Sequence, residues 1–218
     1  MPVRKVSNRG GNVIGCFPSM KVRRMVAFES LIELDYLYLL DYEANVEWFE
    51  EQPLTIEYYH DGKALHYTPD FHIVDTERGN VLIECKPLIF IDKEENQRKF
   101  WAAKAWCMER GWTFQVVTDQ DIRTGFRLEN IKLLTRYARY VVEPQTKAQI
   151  YASLSSIQGA MSVDDLAKRM TQIDFSATMA AILCMAFHHE LFIPLDGAPI
   201  LKNARVSLPS AQHREVYQ

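Results

Sequence analysis

The sequence of 218 residues has no dominant charge and no long apolar run, and each of these absences excludes a class of protein. Its 25 Lys and Arg residues against 28 Asp and Glu residues give a formal net charge of −3, which provides no overall attraction to nucleic acid or to an anionic membrane. The longest nearly apolar stretch, Phe175 to Phe187, is shorter than the roughly 20 residues that span a bilayer. Met1 to Lys5 lack the apolar core of a signal peptide. We therefore expect a cytoplasmic protein without a membrane partner.

The cysteines are few and widely spaced, and no two of them form a C-x-x-C pair, so neither a zinc site nor a disulfide framework is indicated. We expect reduced core residues at these positions. The composition, 48% hydrophobic and 24% charged, is typical of a soluble globular chain and excludes a disordered or collagen-like protein. At roughly 150 residues per domain, the length predicts one or two domains. The four cysteines are Cys16, Cys85, Cys107 and Cys184.

Charge is distributed unevenly along the chain. Residues 1–27 form a basic arm without a single acid, whereas residues 29–62 contain ten acids and no Lys or Arg. The arm is either a solvated tail or a segment that contacts DNA phosphates, and the sequence leaves both readings open. The cations of the arm that we consider candidates for DNA binding are Arg4, Lys5, Arg9, Arg23 and Arg24.

Hydrophobic periodicity predicts a helix that begins at Ser19 as its N-cap and extends to about Leu40, with Glu29 in its middle. Five short segments rich in β-branched and aromatic residues then predict a meander of antiparallel strands. A helix over residues 93–110, a strand over 113–118 and a helix over 128–142 follow. The five predicted strands are Val46 to Phe49, Leu54 to Tyr59, Ala64 to Tyr67, Phe71 to Asp75 and Val81 to Cys85.

This order of elements predicts an α/β fold in which helices cover both faces of a mixed sheet, and we assign residues 18–143 to it. Pro144 marks a predicted boundary. Residues 145–218 contain three helical segments, followed by two apolar segments, Leu191 to Pro194 and Ile200 to Val206, on either side of the turn pair Asp196-Gly197. Three helices and a hairpin predict a small winged-helix-like α(+β) domain.

The chemistry of the sequence is concentrated in Pro69-Asp70 and in Glu84-Cys85-Lys86. Glu84 and Lys86 are two residues apart on a predicted strand, so both side chains lie on the same face. If the strands on either side of the turn at Arg78-Gly79 pair as a hairpin, Asp70 falls beside Glu84 and Lys86. A register shift of one residue would place Asp70 on the opposite face, and the sequence alone does not fix the register.

Two carboxylates held close together repel each other, which favours a divalent cation between them, and oxygen ligands with open water positions suit Mg²⁺ or Mn²⁺. A lysine beside such a metal can orient an attacking water and offset the charge that develops on phosphorus during phosphodiester hydrolysis. Glu29 is a candidate third carboxylate. The predicted catalytic residues are Glu29, Asp70, Glu84 and Lys86, and the first three are the predicted side-chain ligands of the metal.

The pattern Pro69-Asp70 followed by Glu84-Cys85-Lys86 resembles the PD-(D/E)xK nuclease superfamily. A wider arrangement, which includes the basic arm, is similar to TnsA, the endonuclease family of heteromeric transposases. The resemblance covers about residues 5 to 140, and the short length is similar to the compact versions in CRISPR-associated transposons. The further segments that carry it are Phe28 to Glu33, Glu51 to Pro53, Tyr67 to Phe71 and Gly111 to Phe114.

The resemblance implies a restriction-endonuclease-like core and a Mg²⁺-dependent endonuclease, for which Mn²⁺ could substitute. Such an enzyme cuts double-stranded DNA at the 5′ ends of a transposon, while a DDE-type transposase of the TnsB kind cuts and joins the 3′ ends. An AAA+ ATPase of the TnsC kind is implied as a second partner, and the bacterial nucleoid as the place of action. By position, Glu29 corresponds to a helix carboxylate, Asp70 to the central metal ligand and Lys86 to the catalytic lysine. Glu84 corresponds to a position where some members have Gln, and the backbone carbonyl of Cys85 is expected to join the metal ligands.

Two alternatives stay open: a stand-alone restriction or repair nuclease of the same fold, and a catalytically idle adaptor between transposase and ATPase. An adaptor would tolerate Asp70→Ala, whereas a nuclease would not. On the helix over residues 93–110, Lys99 either contacts DNA phosphates or belongs to a solvated face. Ser176 to Glu190 carry no Lys or Arg, which favours protein contact over DNA contact for the C-terminal domain.

Overall fold

The computed structural model describes residues 13–157 and 159–210. The chain divides into two compact units, residues 1–123 and 124–218. Arg4, Lys5 and Arg9 of the predicted basic arm lie outside the described residues. The helices and strands of the first unit are β1 (Gly15–Pro18), β2 (Met25–Phe28), α1 (Leu31–Tyr42), β3 (Val46–Glu51), β4 (Ile56–His60), β5 (Lys63–Tyr67), β6 (Phe71–Asp75), β7 (Gly79–Cys85), a short 3-10 helix (Leu88–Phe90), α2 (Glu94–Met108), β8 (Thr113–Val117) and α3 (Asp119–Arg123).

A four-stranded sheet with the strand order β3-β6-β7-β8 forms the centre of the first unit. β6 pairs antiparallel with both β3 and β7, whereas β7 and β8 are parallel. A parallel pair needs a crossover connection, and α2 provides it. The predicted mixed α/β sheet of a restriction-endonuclease-like fold is confirmed. The five predicted strands correspond to β3 through β7, but they do not form the predicted meander, because β4 and β5 pair with each other in a separate two-stranded sheet.

The sheet is covered by α1 on one face and by α2 on the other. Phe71 of β6 is fully buried and its ring lies 6.0 Å from that of Tyr36 in α1. Leu82 of β7 points to the opposite face, where it packs against Ala103 and Cys107 of α2. The central strands are therefore apolar on both faces, and a charged side chain on them needs a partner or a function.

The turn between β6 and β7 fixes the register of that hairpin. Asp75 pairs with Gly79, whose φ of +70° lies in the left-handed region that glycine adopts without strain. The Asp75 carboxylate accepts hydrogen bonds from the backbone N–H groups of Glu77 and Arg78, and from the Arg78 guanidinium at 2.7 Å. Burial alone would raise the pKa of Asp75, but these hydrogen bonds outweigh it, and the pKa lies below its usual value.

We expect Asp75→Asn to destabilise the protein by about 2 kcal/mol at pH 7, because charge-assisted hydrogen bonds are lost from a buried carboxylate. A lowered pKa in the folded state stabilises the protein above the unfolded value, near pH 4, and this contribution is lost as the pH falls through the folded value. The stability gap between wild type and variant should therefore close below about pH 4. Urea unfolding at pH 7, 4.5 and 3 measures it, with the exposed Asp92→Asn as the control. A gap that stays constant with pH would contradict this assignment.

The helix predicted from Ser19 to Leu40 is wrong over residues 19–30. Strands β1 and β2 pair as an antiparallel hairpin, and α1 begins only at Leu31. Asp41 of α1 is buried and accepts hydrogen bonds from the Ser19 hydroxyl and from the backbone N–H groups of Met20 and Lys21, so it holds the turn of that hairpin. These long-range contacts override the local periodicity, and Glu29 precedes the helix instead of lying in its middle.

The second unit begins earlier than Pro144, where the sequence placed its boundary. Helix α4 (Arg127–Thr135) packs against α7 (Phe175–Phe187) within this unit and ends earlier than predicted. Asn130 of α4 is buried, donates to the carbonyl oxygens of Leu195 and Ala198, and accepts from the N–H of Ile200. The described elements of the unit are α4 (Arg127–Thr135), α5 (Pro144–Ser155), β9 (Met161–Ser162), α6 (Val163–Arg169), α7 (Phe175–Phe187) and β10 (Arg205–Val206).

The hairpin predicted around Asp196-Gly197 is much reduced. Strand β10 pairs with β9 instead, and an isolated bridge joins Phe192 to Ser207. Of the cysteines, Cys85, Cys107 and Cys184 are buried and free, whereas Cys16 is exposed, in contrast to its predicted place in the core. None of the helices within residues 13–157 and 159–210 is long and apolar enough to cross a membrane.

Candidate active site

The hairpin of β6 and β7 brings Asp70 and Glu84 together. Phe71 pairs with Ile83, so Asp70 and Glu84, the next residues on either side, lie opposite each other and share a face of the sheet. The backbone N–H of Cys85 donates to Asp70 Oδ2 at 2.7 Å. The register that the sequence could not fix is thus the one that places the two carboxylates side by side.

Glu84 is buried, with 4% of its surface exposed, and both of its carboxylate oxygens have partners. Lys86 Nζ lies 2.7 Å from Oε1, and the Tyr67 hydroxyl donates to Oε2 at 2.7 Å. The backbone N–H of Lys86 donates to the Val117 carbonyl oxygen of β8, which anchors the end of the motif. The site is therefore built from rigid strands, and its side chains are held in place by hydrogen bonds.

Several carboxylates lie close together in the site and repel one another. Burial raises the pKa of Asp70 well above its usual value, and repulsion from Glu84 and Glu33 raises it further, while Lys86 acts in the opposite direction. Burial alone would lower the pKa of Lys86, but attraction to Glu84, Asp70 and Glu33 outweighs it and the pKa is raised. Such a site favours a bound cation, because a positive charge offsets the repulsion among its carboxylates.

Glu33, which the sequence analysis did not select, belongs to this group of charges. It lies in the first turn of α1 and accepts hydrogen bonds from the Ser30 hydroxyl and from the backbone N–H of Glu29, each at 2.7 Å. Burial, followed by repulsion from Glu29 and Glu84, raises its pKa. The sequence signal was the capping box, Ser30 with Glu33 three residues later. Glu29 lies one residue before the N-cap of α1, next to Glu33 and not in the helix.

Two further residues support Asp70 and Glu84. Tyr67, at the end of β5, is buried and holds Glu84 through its hydroxyl. The backbone N–H of Gln52 donates to the Asp70 carbonyl oxygen at 2.8 Å, and Gln52 has a left-handed backbone with a φ of 45°. The side-chain oxygen of Gln52 is buried and has no hydrogen-bond partner among the described residues, which is costly for a polar atom and is explained by a functional role in some proteins.

The structure describes three of the predicted DNA-binding cations, which are Arg23, Arg24 and Lys99. Arg23 is exposed and has a left-handed backbone with a φ of 53°. Arg24 forms a two-pronged ion pair with Glu51, at 2.8 and 2.6 Å. Lys99 pairs with Glu95 at 2.5 Å within α2. Two of the three cations are therefore already paired with carboxylates of the chain.

A metal centre of three or more His, Cys, Asp or Glu side chains is not present among residues 13–157 and 159–210. Magnesium does not require one, since it is commonly held by one or two carboxylates and keeps several waters. The Asp70 and Glu84 pair fits that chemistry, because its oxygen atoms are hard ligands and its mutual repulsion is what a divalent cation offsets.

A mixed α/β sheet, with an aspartate at the start of one central strand and a Glu-x-Lys pair at the end of the next, is consistent with a restriction-endonuclease-like fold. The comparison with known families agrees and is more specific. Residues 43–119 match the family described as TnsA-like endonuclease N terminal. The chain therefore carries a TnsA-like endonuclease domain, as the sequence motifs predicted.

The matched range includes Asp70, Glu84 and Lys86, whereas Glu29 and Glu33 lie before its first residue. No curated protein matches the chain. The match supports a nuclease and suggests the endonuclease subunit of a transposase, an enzyme that acts on DNA within a larger complex.

Proposed function

We propose that this protein is the metal-dependent DNA endonuclease subunit of a cut-and-paste transposase. It hydrolyses phosphodiester bonds at the 5′ ends of the transposon, while a DDE-type transposase processes the 3′ ends. The observation that carries the proposal is the grouping of Asp70, Glu84 and Lys86 inside a TnsA-like endonuclease domain. A net charge of −3 supports delivery to DNA by partners, which include an AAA+ ATPase.

Asp70, Glu84 and the backbone carbonyl of Cys85 would hold Mg²⁺, with Glu29 or its neighbour Glu33 as a further carboxylate. The bound metal supplies Lewis-acid polarisation of the phosphate and lowers the pKa of an attacking water. The chain itself supplies position and charge. Asp70 is fixed by the Cys85 N–H, and Glu84 is fixed by Tyr67.

Lys86 has a separate role in this proposal. Its ammonium group, held 2.7 Å from Glu84, supplies a positive charge where negative charge develops on the phosphate. The second unit, with its helices α5, α6 and α7, contacts the protein partners in a winged-helix-like arrangement. Its α7 carries no Lys or Arg, which disfavours DNA phosphates as its target.

Strand-resolved cleavage tests the function. We expect a supercoiled plasmid that carries a transposon end to be cut at the 5′ end of the transposon only when Mg²⁺ and the partner DDE-type transposase are both present. Replacing Mg²⁺ with Ca²⁺ should reduce the cleavage rate at least about 100-fold, because Ca²⁺ takes more ligands at longer distances. Asp70→Asn should do the same, since it removes a charged ligand.

Each other outcome has a meaning of its own. Cutting by wild type without the transposase would identify a stand-alone nuclease. Transposition that proceeds unchanged with Asp70→Asn would identify an adaptor without catalytic function. Cutting that persists in EDTA would exclude the metal-dependent mechanism.

A further inference from the structure

Three consecutive large apolar residues are exposed directly after the proposed catalytic lysine. Leu88, Ile89 and Phe90 form the short 3-10 helix, and 42%, 80% and 37% of their respective surfaces are exposed. Only Pro87 separates this segment, which we call the apolar tip, from Lys86. Single exposed apolar residues are common on protein surfaces, but a run of three is a defect unless it has a binding role.

The backbone of the apolar tip is held firmly. The N–H of Leu88 donates to Asp119 Oδ1 at 2.8 Å, and the Asn96 side chain donates to the Phe90 carbonyl oxygen at 2.6 Å. Gln97 donates to the next carbonyl oxygen, that of Ile91, at 2.9 Å. Asn96 is itself buried, with 8% of its surface exposed. The three side chains are therefore presented to solvent by a fixed support.

Chain length limits how far the apolar tip lies from the proposed reaction centre. Ile89 is three residues from Lys86, so their Cα atoms are at most about 11 Å apart. This inference rests on the proposed function: if Lys86 acts on a phosphate, the apolar tip lies near the stretch of duplex that contains that phosphate. A duplex bound at Lys86 is therefore within reach of the apolar tip.

We propose that the apolar tip is a wedge that enters the minor groove of duplex DNA beside the cleaved phosphodiester and partly unstacks one base-pair step. Leu, Ile and Phe are side chains that proteins insert between base pairs to kink DNA. The ammonium of Lys93 lies 4.3 Å from the centre of the Phe90 ring, which places a cation at the edge of the tip for a flanking phosphate. The bend opens the backbone at the phosphate that Lys86 and Asp70 must reach.

The wedge can be tested without cleavage by measuring whether the protein binds a mismatched duplex more tightly than a matched one. A 30-bp duplex with a central T·T mismatch already lacks part of its stacking, so a wedge enters it more easily than a matched duplex. In Ca²⁺ at low salt, wild type should bind the mismatched duplex about tenfold more tightly. A 2-aminopurine placed beside the mismatch should brighten on binding, because its stacking is lost.

Ile89→Ala should bind both duplexes equally and leave 2-aminopurine dim. Met108→Ala is the matched control, because Met108 is 77% exposed and lies at the far end of α2, about 20 Å from the start of that helix. It should behave as wild type does. Equal binding of both duplexes by wild type, or a preference retained in Ile89→Ala, would overturn the wedge.

The apolar tip could instead face a protein, and the same variants decide this. If Ile89→Ala keeps its DNA preference and loses binding of the DDE-type transposase, the apolar tip is a protein interface and the wedge is excluded. Failure of the wedge is separable from failure of the proposed function. The wedge fails in the binding assays in Ca²⁺, whereas the nuclease function fails when Asp70→Asn cuts DNA as wild type does.

Discussion

Lys86→Ala should reduce the single-turnover rate of DNA cleavage at least about 100-fold, which is the effect of removing one charge-stabilising group from a reaction centre. Lys86 is the cation paired with the buried Glu84 carboxylate, and its removal leaves that carboxylate held by the Tyr67 hydroxyl. The rate is measured with Mg²⁺ and the DDE-type transposase at saturating protein.

Lys132→Ala is the matched control for this variant. The Lys132 side chain has the same exposed fraction as Lys86, 26%, and is also paired with a glutamate, Glu129, at 3.0 Å. Its rate should stay within about twofold of wild type. Thermal melting of both variants separates a loss of chemistry from a loss of folding, and a Lys86→Ala rate within threefold of wild type would place the reaction centre elsewhere.

Phe71→Ala should lower the free energy of unfolding by about 3 to 5 kcal/mol, because it removes a fully buried ring and leaves a cavity between the sheet and α1. Phe71 follows Asp70 directly, so the same change loosens the start of β6. The expected result is a large drop in urea midpoint together with lost cleavage.

Tyr59→Ala, which removes an aromatic ring that is 73% exposed, should change the free energy of unfolding by only about 0.5 kcal/mol. Chemical denaturation of both variants followed by tryptophan fluorescence measures the difference. A Phe71→Ala loss no larger than that of Tyr59→Ala would mean that the packing of α1 on this face of the sheet contributes little.

The fold of the first unit was readable from the sequence wherever local patterns and burial agree. Alternating and apolar runs predicted β3 through β7, and the glycine after Arg110 predicted the end of α2 within a few residues. The prediction was wrong at residues 19–30, because Asp41, 22 residues away from Ser19, fixes a turn that local periodicity cannot reveal. Asn130 acts in the same way in the second unit, where its hydrogen bonds tie α4 to residues 195–200.

The candidate site was also predicted only in part from the sequence. The residue types and spacing of Pro69-Asp70 and Glu84-Cys85-Lys86 determined the chemical class, a carboxylate and lysine group suited to metal-dependent phosphodiester hydrolysis, because strand alternation alone places Glu84 and Lys86 on one face. Only the tertiary structure decided that Asp70 joins them. The pairing of Asp75 with Gly79 sets the register of the hairpin, and a shift of one residue would place Asp70 on the opposite face of the sheet. Only the tertiary structure shows that Glu33 belongs to the site. Glu33 and Glu84 are far apart in the sequence, and the packing of α1 against the sheet brings them close in space.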